Sequence, residues 1–486
     1  MQMNLGISAL FLAFVVLHRP SLVQSQPPVE DATEAMHRAV SFFRGSVSAG
    51  GGYIYQLSED LSKREGEGVV GPTTAWIEPP ATPSVGKAYL DAFRLTRDPV
   101  LLEAAKETAD ALLRGQLRSG GWDNKIEFAP AERQKYAYRI DGGPGTKLRN
   151  TTTFDDDKSQ SVIRFLMQLD RELEFKNRPI HEGVIYALEG VLNSQYSNGA
   201  WPQRYSEFPK PDEHAINKAS LPEQWSRNFP GRKYSGFYTL NDNTMSDLIA
   251  TALDAWEIYD DPRYLVAAEK GGDFLLRAQL PEPQPGWAQQ YDPDMHPAWA
   301  RKFEPPAITG GESQGVMRTL ILLYRCTAAI SRDADRFLEP LPRAIAYYRR
   351  SLLEDGRLAR FYELGTNRPL FFTKDYQLTY LAGDLPTHYA FIVNSTIDRI
   401  ESELKLVRQT PIDKLWKPKE LNRPRPTTSL AESAKNAIDS LDSRGAWVED
   451  GRLRYHPEGD PTRLVIRSDT FIKNLGRLAQ WIAANK

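Results

Sequence analysis

One pattern recurs along this chain and limits the folds open to it. Residues 88–122 read AYLDAFRLTRDPVLLEAAKETADALLRGQLRSGGW, and residues 248–287 read LIATALDAWEIYDDPRYLVAAEKGGDFLLRAQLPEPQPGW. Both run through a helical segment, an Asp-Pro step (Asp98-Pro99, Asp261-Pro262), a second helical segment, a Gln-Leu pair and a Gly-Trp. A looser third copy spans residues 162–201 and ends in LNSQYSNGAW. Between Glu103 and Leu117 the apolar Ala104, Ala105, Ala109, Leu112 and Leu113 recur at helical spacing, and Gly120-Gly121 stops the helix. Trp122, Trp201 and Trp287 stand roughly 80 residues apart, room for a helical hairpin plus a long loop. Gly445-Ala446-Trp447 and Asp355-Gly356 are weaker equivalents of the turn. A hairpin with one apolar face must stack on its neighbours to bury it. Such hairpins closed in a ring give an all-α (α/α) toroid. An open solenoid is the alternative, but it has no need of such long loops at one end.

Other features bound the class. Leu5 to Leu17 is an apolar run too short for a membrane helix, followed by His18-Arg19-Pro20 and the small-residue site Val23-Gln24-Ser25. This predicts a secretory signal peptide over residues 1–25, and hence a secreted or periplasmic protein; its first residues lack the usual Lys or Arg. No later stretch suits a membrane helix. A single cysteine, Cys326, excludes an intrachain disulfide, and its apolar neighbours predict a buried thiol. The net charge of −2 argues against a nucleic-acid partner but not against a polyanion held in a local basic cleft. The expected organisation is one domain over residues 26–486, with an N-terminal wrapping segment before the first repeat. A Pro-rich linker near 410–429 precedes a C-terminal helical extension.

Function is expected in the long loops. Thr153 to Ser159 (TFDDDKS), Asn198 to Tyr205 (NGAWPQRY) and Tyr238 to Met245 (YTLNDNTM) concentrate carboxylates and amides. Asp155-Asp156-Asp157 and Asn241-Asp242-Asn243 each precede a helix, so N-capping is the plain reading of either alone. Together they also offer the hard oxygen ligands that Ca²⁺ prefers, and no HExxH or CxxC pattern supports zinc. A cationic group follows: Arg301 in WARKFEPP, Arg360 and Arg368 in RFYELGTNRP, and Lys374. Arginine among aromatics and prolines suits bidentate carboxylate recognition. The plain alternative is structural ion pairing, for instance of Arg301 with Glu304.

These blocks resemble the family-10 polysaccharide lyases, the pectic acid lyases. WPQRY, TLNDNTM, WARKFEPPAITGGES and RFYELGTNRPLF, with Lys374-Asp375 just beyond, are similar to that family's blocks in the same order, and FDDDKSQSVIRFL is similar more loosely. The resemblance covers roughly residues 35 to 400. It implies a toroid with irregular coil and a few short strands at one end. It implies a pectate lyase that cleaves polygalacturonate by calcium-assisted β-elimination, working as a monomer on an acidic polysaccharide. Asp155, Asp156 and Asp242 would surround the calcium, Arg301 would be the base, and Arg360 and Lys374 would bind substrate carboxylates. Trp201, Gln203 and Arg368 are expected as further substrate contacts.

The sequence departs from the family where Asp156 replaces the usual Asn, where Lys374 replaces an arginine, and in a longer loop from Ser206 to Tyr234. That loop reads as a solvated insertion in preference to a subsite wall. Two rivals stay open: a glycoside hydrolase using two carboxylates on the same toroid, and a non-catalytic binder of acidic glycans.

Overall fold

The computed structural model describes residues 26–142, 147–210, 213–231, 233–416 and 423–486. The predicted signal segment, residues 1–25, and part of the Pro-rich linker lie outside them. Among the described residues, twelve helices of ten or more residues carry the fold. Six form the outer layer: α1 (Val29–Phe42), α3 (Pro99–Arg114), α5 (Arg178–Asn193), α7 (Pro262–Arg277), α9 (Leu341–Arg350) and α11 (Thr428–Asp439). Six form the inner layer: α2 (Thr82–Thr96), α4 (Lys158–Glu172), α6 (Thr244–Tyr259), α8 (Glu312–Thr327), α10 (Ile397–Gln409) and α12 (Ser468–Asn485). The inner helices pack in the succession α12, α2, α4, α6, α8, α10, and each outer helix lies against inner neighbours. The architecture is the helical toroid expected from the repeat. No helix among the described residues is long and apolar enough to cross a membrane.

The repeat motif explains why each hairpin turns where it does. Asp98 and Asp261 accept hydrogen bonds from Val100 N and Arg263 N, capping α3 and α7, and Pro stands in the first turn where its missing N–H costs nothing. In the third copy Asn177 caps α5 through Ile180 N, with Pro179 following. At the other end the tryptophan indole N–H donates back to a terminal carbonyl of the outer helix: Trp122 to Leu112, Trp201 to Val191, Trp287 to Leu275 and Trp447 to Ala437, at 2.8, 2.9, 2.8 and 2.8 Å. Those carbonyls are among the orphan acceptors of a helix C-terminus. The preceding Gln116, Gln195 and Gln279 each donate to two backbone carbonyls, one within the turn and one on the next hairpin. Gly199 has φ +90°, and a Cβ there would lie 2.2 Å from the Lys270 carbonyl oxygen, so the turn sits directly on the next outer helix.

After each such turn the chain forms a short ladder with the segment leading into an inner helix: Thr152–Thr153 with Arg204–Tyr205, Tyr238–Thr239 with Gln290–Tyr291, and Ala307–Thr309 with Phe361–Glu363. All these ladders therefore gather at the N-terminal ends of the inner helices. The wrapping segment joins the ring through a five-stranded antiparallel sheet, ordered Val448–Asp450, Leu464–Arg467, Gln56–Ser58, Arg64–Gly66, Gly68–Val69. The region expected as a C-terminal extension is instead integral. α12 buries Phe471, Leu475, Leu478 and Ile482 between α1, α2 and α11, and that apolar face needs the ring to cover it. Cys326 is buried, as expected.

Candidate active site

Two matching turns build the centre of the loop end. Thr153-Phe154-Asp155-Asp156-Asp157 precedes α4, and Thr239-Leu240-Asn241-Asp242-Asn243 precedes α6. In each, the threonine hydroxyl accepts the backbone N–H two residues on, of Asp155 at 3.3 Å and of Asn241 at 3.2 Å. In each, two consecutive non-glycine residues are left-handed: Asp156 and Asp157 at φ 51° and 57°, Asp242 and Asn243 at φ 48° and 58°. Asp and Asn tolerate this region better than other residues, and such strain gathers at functional sites. Neither N-cap side chain, Asp157 or Asn243, makes a capping hydrogen bond, so the capping reading of these clusters fails. The turns instead bring carboxylate oxygens of Asp155, Asp156 and Asp242 within 4.8 Å of one another.

The three carboxylates differ in their support. Asp155 is held by Gln203 Nε2 at 2.8 Å and by Arg204 at 2.9 Å. Asp156 meets the buried Lys158 ammonium at 3.0 Å, and Lys158 also pairs with Glu78 at 2.7 Å. Asp242 takes a hydrogen bond from Asn241 Nδ2. By surface area Asp242 is open to the cleft, yet protein encloses its carboxyl on the side of its neighbours. Burial, followed by the charges of Asp156, Asp155 and Glu312, pushes its pKa up to about 7 against the pull of Arg301. The surface area governs what can reach the group; the raised pKa records burial first and crowding of like charge second.

Two arginines face this acidic centre. Arg301 donates through Nε and a terminal nitrogen to Glu304 at 2.7 and 2.5 Å, so the ion pair weighed in the sequence is present. Glu304 is buried and is further held by Gln289 Nε2 at 2.7 Å and Tyr389 OH at 3.0 Å. Burial lowers the pKa of Arg301, but Glu304 more than offsets this, and Tyr389 and Asp242 add to it, so the resting guanidinium is protonated. Arg360 donates to Glu312 at 2.7 Å, to Tyr389 OH at 3.1 Å and to Ala390 O at 2.7 Å. Its pKa is also raised, burial being outweighed by Glu312 and Tyr389. Both guanidiniums face the Tyr389 ring, at 5.4 and 4.5 Å from its centroid.

Most of the long loop is exposed, as expected of a solvated insertion, but its last residues form a wall of the cleft. Gly231, Lys233, Tyr234 and Ser235 line a cavity of about 370 Å³ together with Asp155, Gln203 and Arg204. The loop docks through its own contacts: Arg227 to Glu363 and Tyr380, Ser226 O accepting Trp299 Nε1 at 2.8 Å, and Tyr234 O accepting Gln290 Nε2 at 3.1 Å. A larger cavity of about 850 Å³ lies on the outer layer between α3 and α5, away from these groups.

The structure thus brings together Asp155, Asp156, Asp242, Gln203, Arg301 and Arg360. Lys374 is exposed and pairs with Asp384 at 3.2 Å, and the exposed Arg368 stacks on Tyr380 at 3.5 Å. Trp201 is a correction: it has no exposed surface, and its indole is spent on Val191 O, so it is a core residue and no substrate contact. Glu312, Gln289, Lys158 and Tyr389 were missed, and Glu304 was read only as an ion-pair partner of Arg301. Only the spacing of Gln289, two residues after Trp287 as Gln203 is after Trp201, was available to find one of them.

Residues 116–387, more than half of the chain, match the pectic acid lyase family. No curated protein matches the sequence. Among solved structures, a mutant family 10 polysaccharide lyase from Cellvibrio cellulosa, in complex with trigalacturonic acid, is 22% identical over 67% of this chain and 98% of that one, with a TM-score of 0.44. A cellobiose 2-epimerase from Bacillus thermoamylovorans is 11% identical over 94% of this chain and 99% of that one, with a TM-score of 0.45.

Proposed function

The chain belongs to the pectic acid lyase family, and on that premise we propose that this polysaccharide lyase cleaves α-1,4-polygalacturonate by calcium-assisted β-elimination. The observation that carries the reading is the set of three carboxylates within 4.8 Å of one another, with Arg301 and Arg360 close enough to act on Asp242. The donor set suits Ca²⁺. It offers only hard oxygens, and the like-charge crowding that adds to burial in raising the Asp242 pKa is what a divalent cation would relieve. Asp155, Asp156 and Asp242 would hold it. When bound, calcium supplies positive charge to the uronate carboxylate, which favours loss of the C5 proton.

The chain's own residues supply the rest. Arg360, fixed by Glu312 and Ala390 O, offers a second cation for a substrate carboxylate. One unit charge at about 4 Å, in an effective dielectric of about 20, is worth roughly 4 kcal/mol. Felt only as charge develops in the transition state, that is about three decades in rate. Arg301 receives the C5 proton in this reading. Glu304 fixes its plane and leaves the remaining N–H positions to the cleft. Because Glu304 also keeps it protonated at rest, base function depends on the cations gathered opposite, Arg360 among them. In this reading the exposed Arg368 and Lys374 would serve as outer contacts for further uronates. Residues 1–25 make secretion or periplasmic location part of the proposal.

The wild type, given calcium, should release products carrying a 4,5-unsaturated uronate, read by near-ultraviolet absorbance. Chelation and Arg301→Lys should each abolish the signal. Release of saturated oligomers without calcium would overturn the reading in favour of hydrolysis.

A further inference from the structure

We propose that Tyr234 is the general acid of the elimination, donating its phenolic proton to the glycosidic oxygen as the C4–O4 bond breaks. This rests on the lyase reading above and adds the half of the reaction that the carboxylates and arginines leave open. Abstraction of the C5 proton makes the C4=C5 bond and expels an alkoxide, which is a poor leaving group unless it is protonated as it departs.

Three observations place the phenol there. Tyr234 lines the same cavity as Asp155, Gln203 and Arg204. It feels the charges of Glu304, Arg301, Asp155 and Arg204, so it lies within electrostatic reach of both the carboxylate centre and the arginine taken as the base. Its backbone is pinned by Gln290 Nε2, a residue of the ladder Tyr238–Thr239 with Gln290–Tyr291 that leads directly into Asp242. The hydroxyl itself has no hydrogen-bond partner among the described residues, although the other tyrosine at the centre, Tyr389, is committed to Glu304 and Arg360. Burial and the Glu304 charge hold the phenol above the ordinary tyrosine range, so it carries its proton at neutral pH.

The step balances without a further reactant. Arg301 first releases one proton to water; the C5 proton then passes to the neutral guanidine, the electron pair of that C–H bond becomes the second bond of C4=C5, and the C4–O4 pair leaves with oxygen. Oxygen takes the Tyr234 proton and becomes the hydroxyl of the new reducing end. The phenolate, beside the Arg301 and Arg204 charges, regains a proton from water.

The test compares leaving groups. Tyr234→Phe keeps the ring and its packing and removes only the proton. Two substrates are used with calcium: polygalacturonate, and trigalacturonate carrying a 4-deoxy-4-fluoro group at its non-reducing end. Fluoride departs without protonation and is read by an ion-selective electrode. The variant should lose roughly 10²–10⁴-fold in kcat on the polymer while fluoride release stays within about threefold of wild type. Equal losses on both substrates would overturn the proposal, since a base or a scaffold residue slows both. Unchanged turnover of the polymer would overturn it too. Absence of unsaturated product from the wild type is a separate result, and it removes the lyase reading itself.

Discussion

The three clustered carboxylates make calcium affinity a function of pH, and Asp242 sets the window. Its folded-state pKa is raised to about 7 by burial and by Asp156, Asp155 and Glu312. Calcium requires the carboxylate form, so binding must displace that proton below the pKa. Affinity should be level above about pH 8 and fall by up to about tenfold per pH unit below 7, reaching a loss of at most about 100-fold at pH 5. Because three like charges share the site, the titration belongs to the set of carboxylates and not to Asp242 alone. Calorimetry of Ca²⁺ binding across pH 5 to 8 measures it, and repeating the titration in buffers of different ionisation enthalpy counts the protons. About half a proton should be released per calcium at pH 7, and about one at pH 5. The sign for folding is opposite. A carboxyl with a raised folded pKa favours the folded state fully below about pH 4 and loses that contribution as pH rises through about 7. The metal-free protein should therefore melt at lower temperature at pH 8 than at pH 5, and calcium should reverse this. Asp242→Asn should weaken binding at pH 8 and flatten the slope. A wild-type affinity that does not change between pH 5 and 8, or an Asp242→Asn variant with the wild-type slope, would refute the assignment.

Three further changes separate scaffold from site. Trp201→Phe leaves the Val191 carbonyl without its donor, and should cost about 1–3 kcal/mol in urea denaturation while KM for polygalacturonate stays within about twofold. Asp247, on the first turn of α6, has its pKa pushed up to about 7 by burial and by Asp157, against Arg164. Asp247→Asn should stabilise the protein by roughly 2 kcal/mol at pH 8, solvent screening included, and by nothing at pH 4, as thermal melts will show. Arg227→Ala removes the tie between the long loop and Glu363, worth about 0.5–1 kcal/mol at this exposure. Limited proteolysis between residues 213 and 231 should then run a few times faster, and KM should rise more than kcat falls.

How much of this was legible in the sequence follows from what the repeat does and does not encode. The Gly-Trp turn could be read because its parts are local: a Gln, a left-handed glycine and an indole that all close on one helix end. The repeat also fixes where side chains are aimed. The residue two after the tryptophan takes the backbone N–H of the strand entering the inner layer: Asn124 O from Ile77, Gln203 O from Phe154 and Gln289 O from Leu240, at 2.9, 2.8 and 2.8 Å. Leu358 holds the tryptophan place in the fourth hairpin, and two residues on Arg360 O accepts Gly310 N at 2.9 Å. Arg360 is thus the fourth member of the series Asn124, Gln203, Gln289, and its place at the acidic centre follows from the hairpin that carries it. The repeat could not show which charges meet. Asp155, Asp156 and Asp242 come from hairpins nearly ninety residues apart in sequence, and Glu312 acts on Asp242 only because α8 follows α6 in the inner layer. Trp201 was misread for the converse reason. It sits inside a block rich in functional residues, but the turn spends its indole on the helix end, while Gln203, two residues on and past the turn, is left to reach Asp155. A block of functional sequence therefore divides, residue by residue, between those that hold the hairpin and those that the hairpin holds out to the cleft.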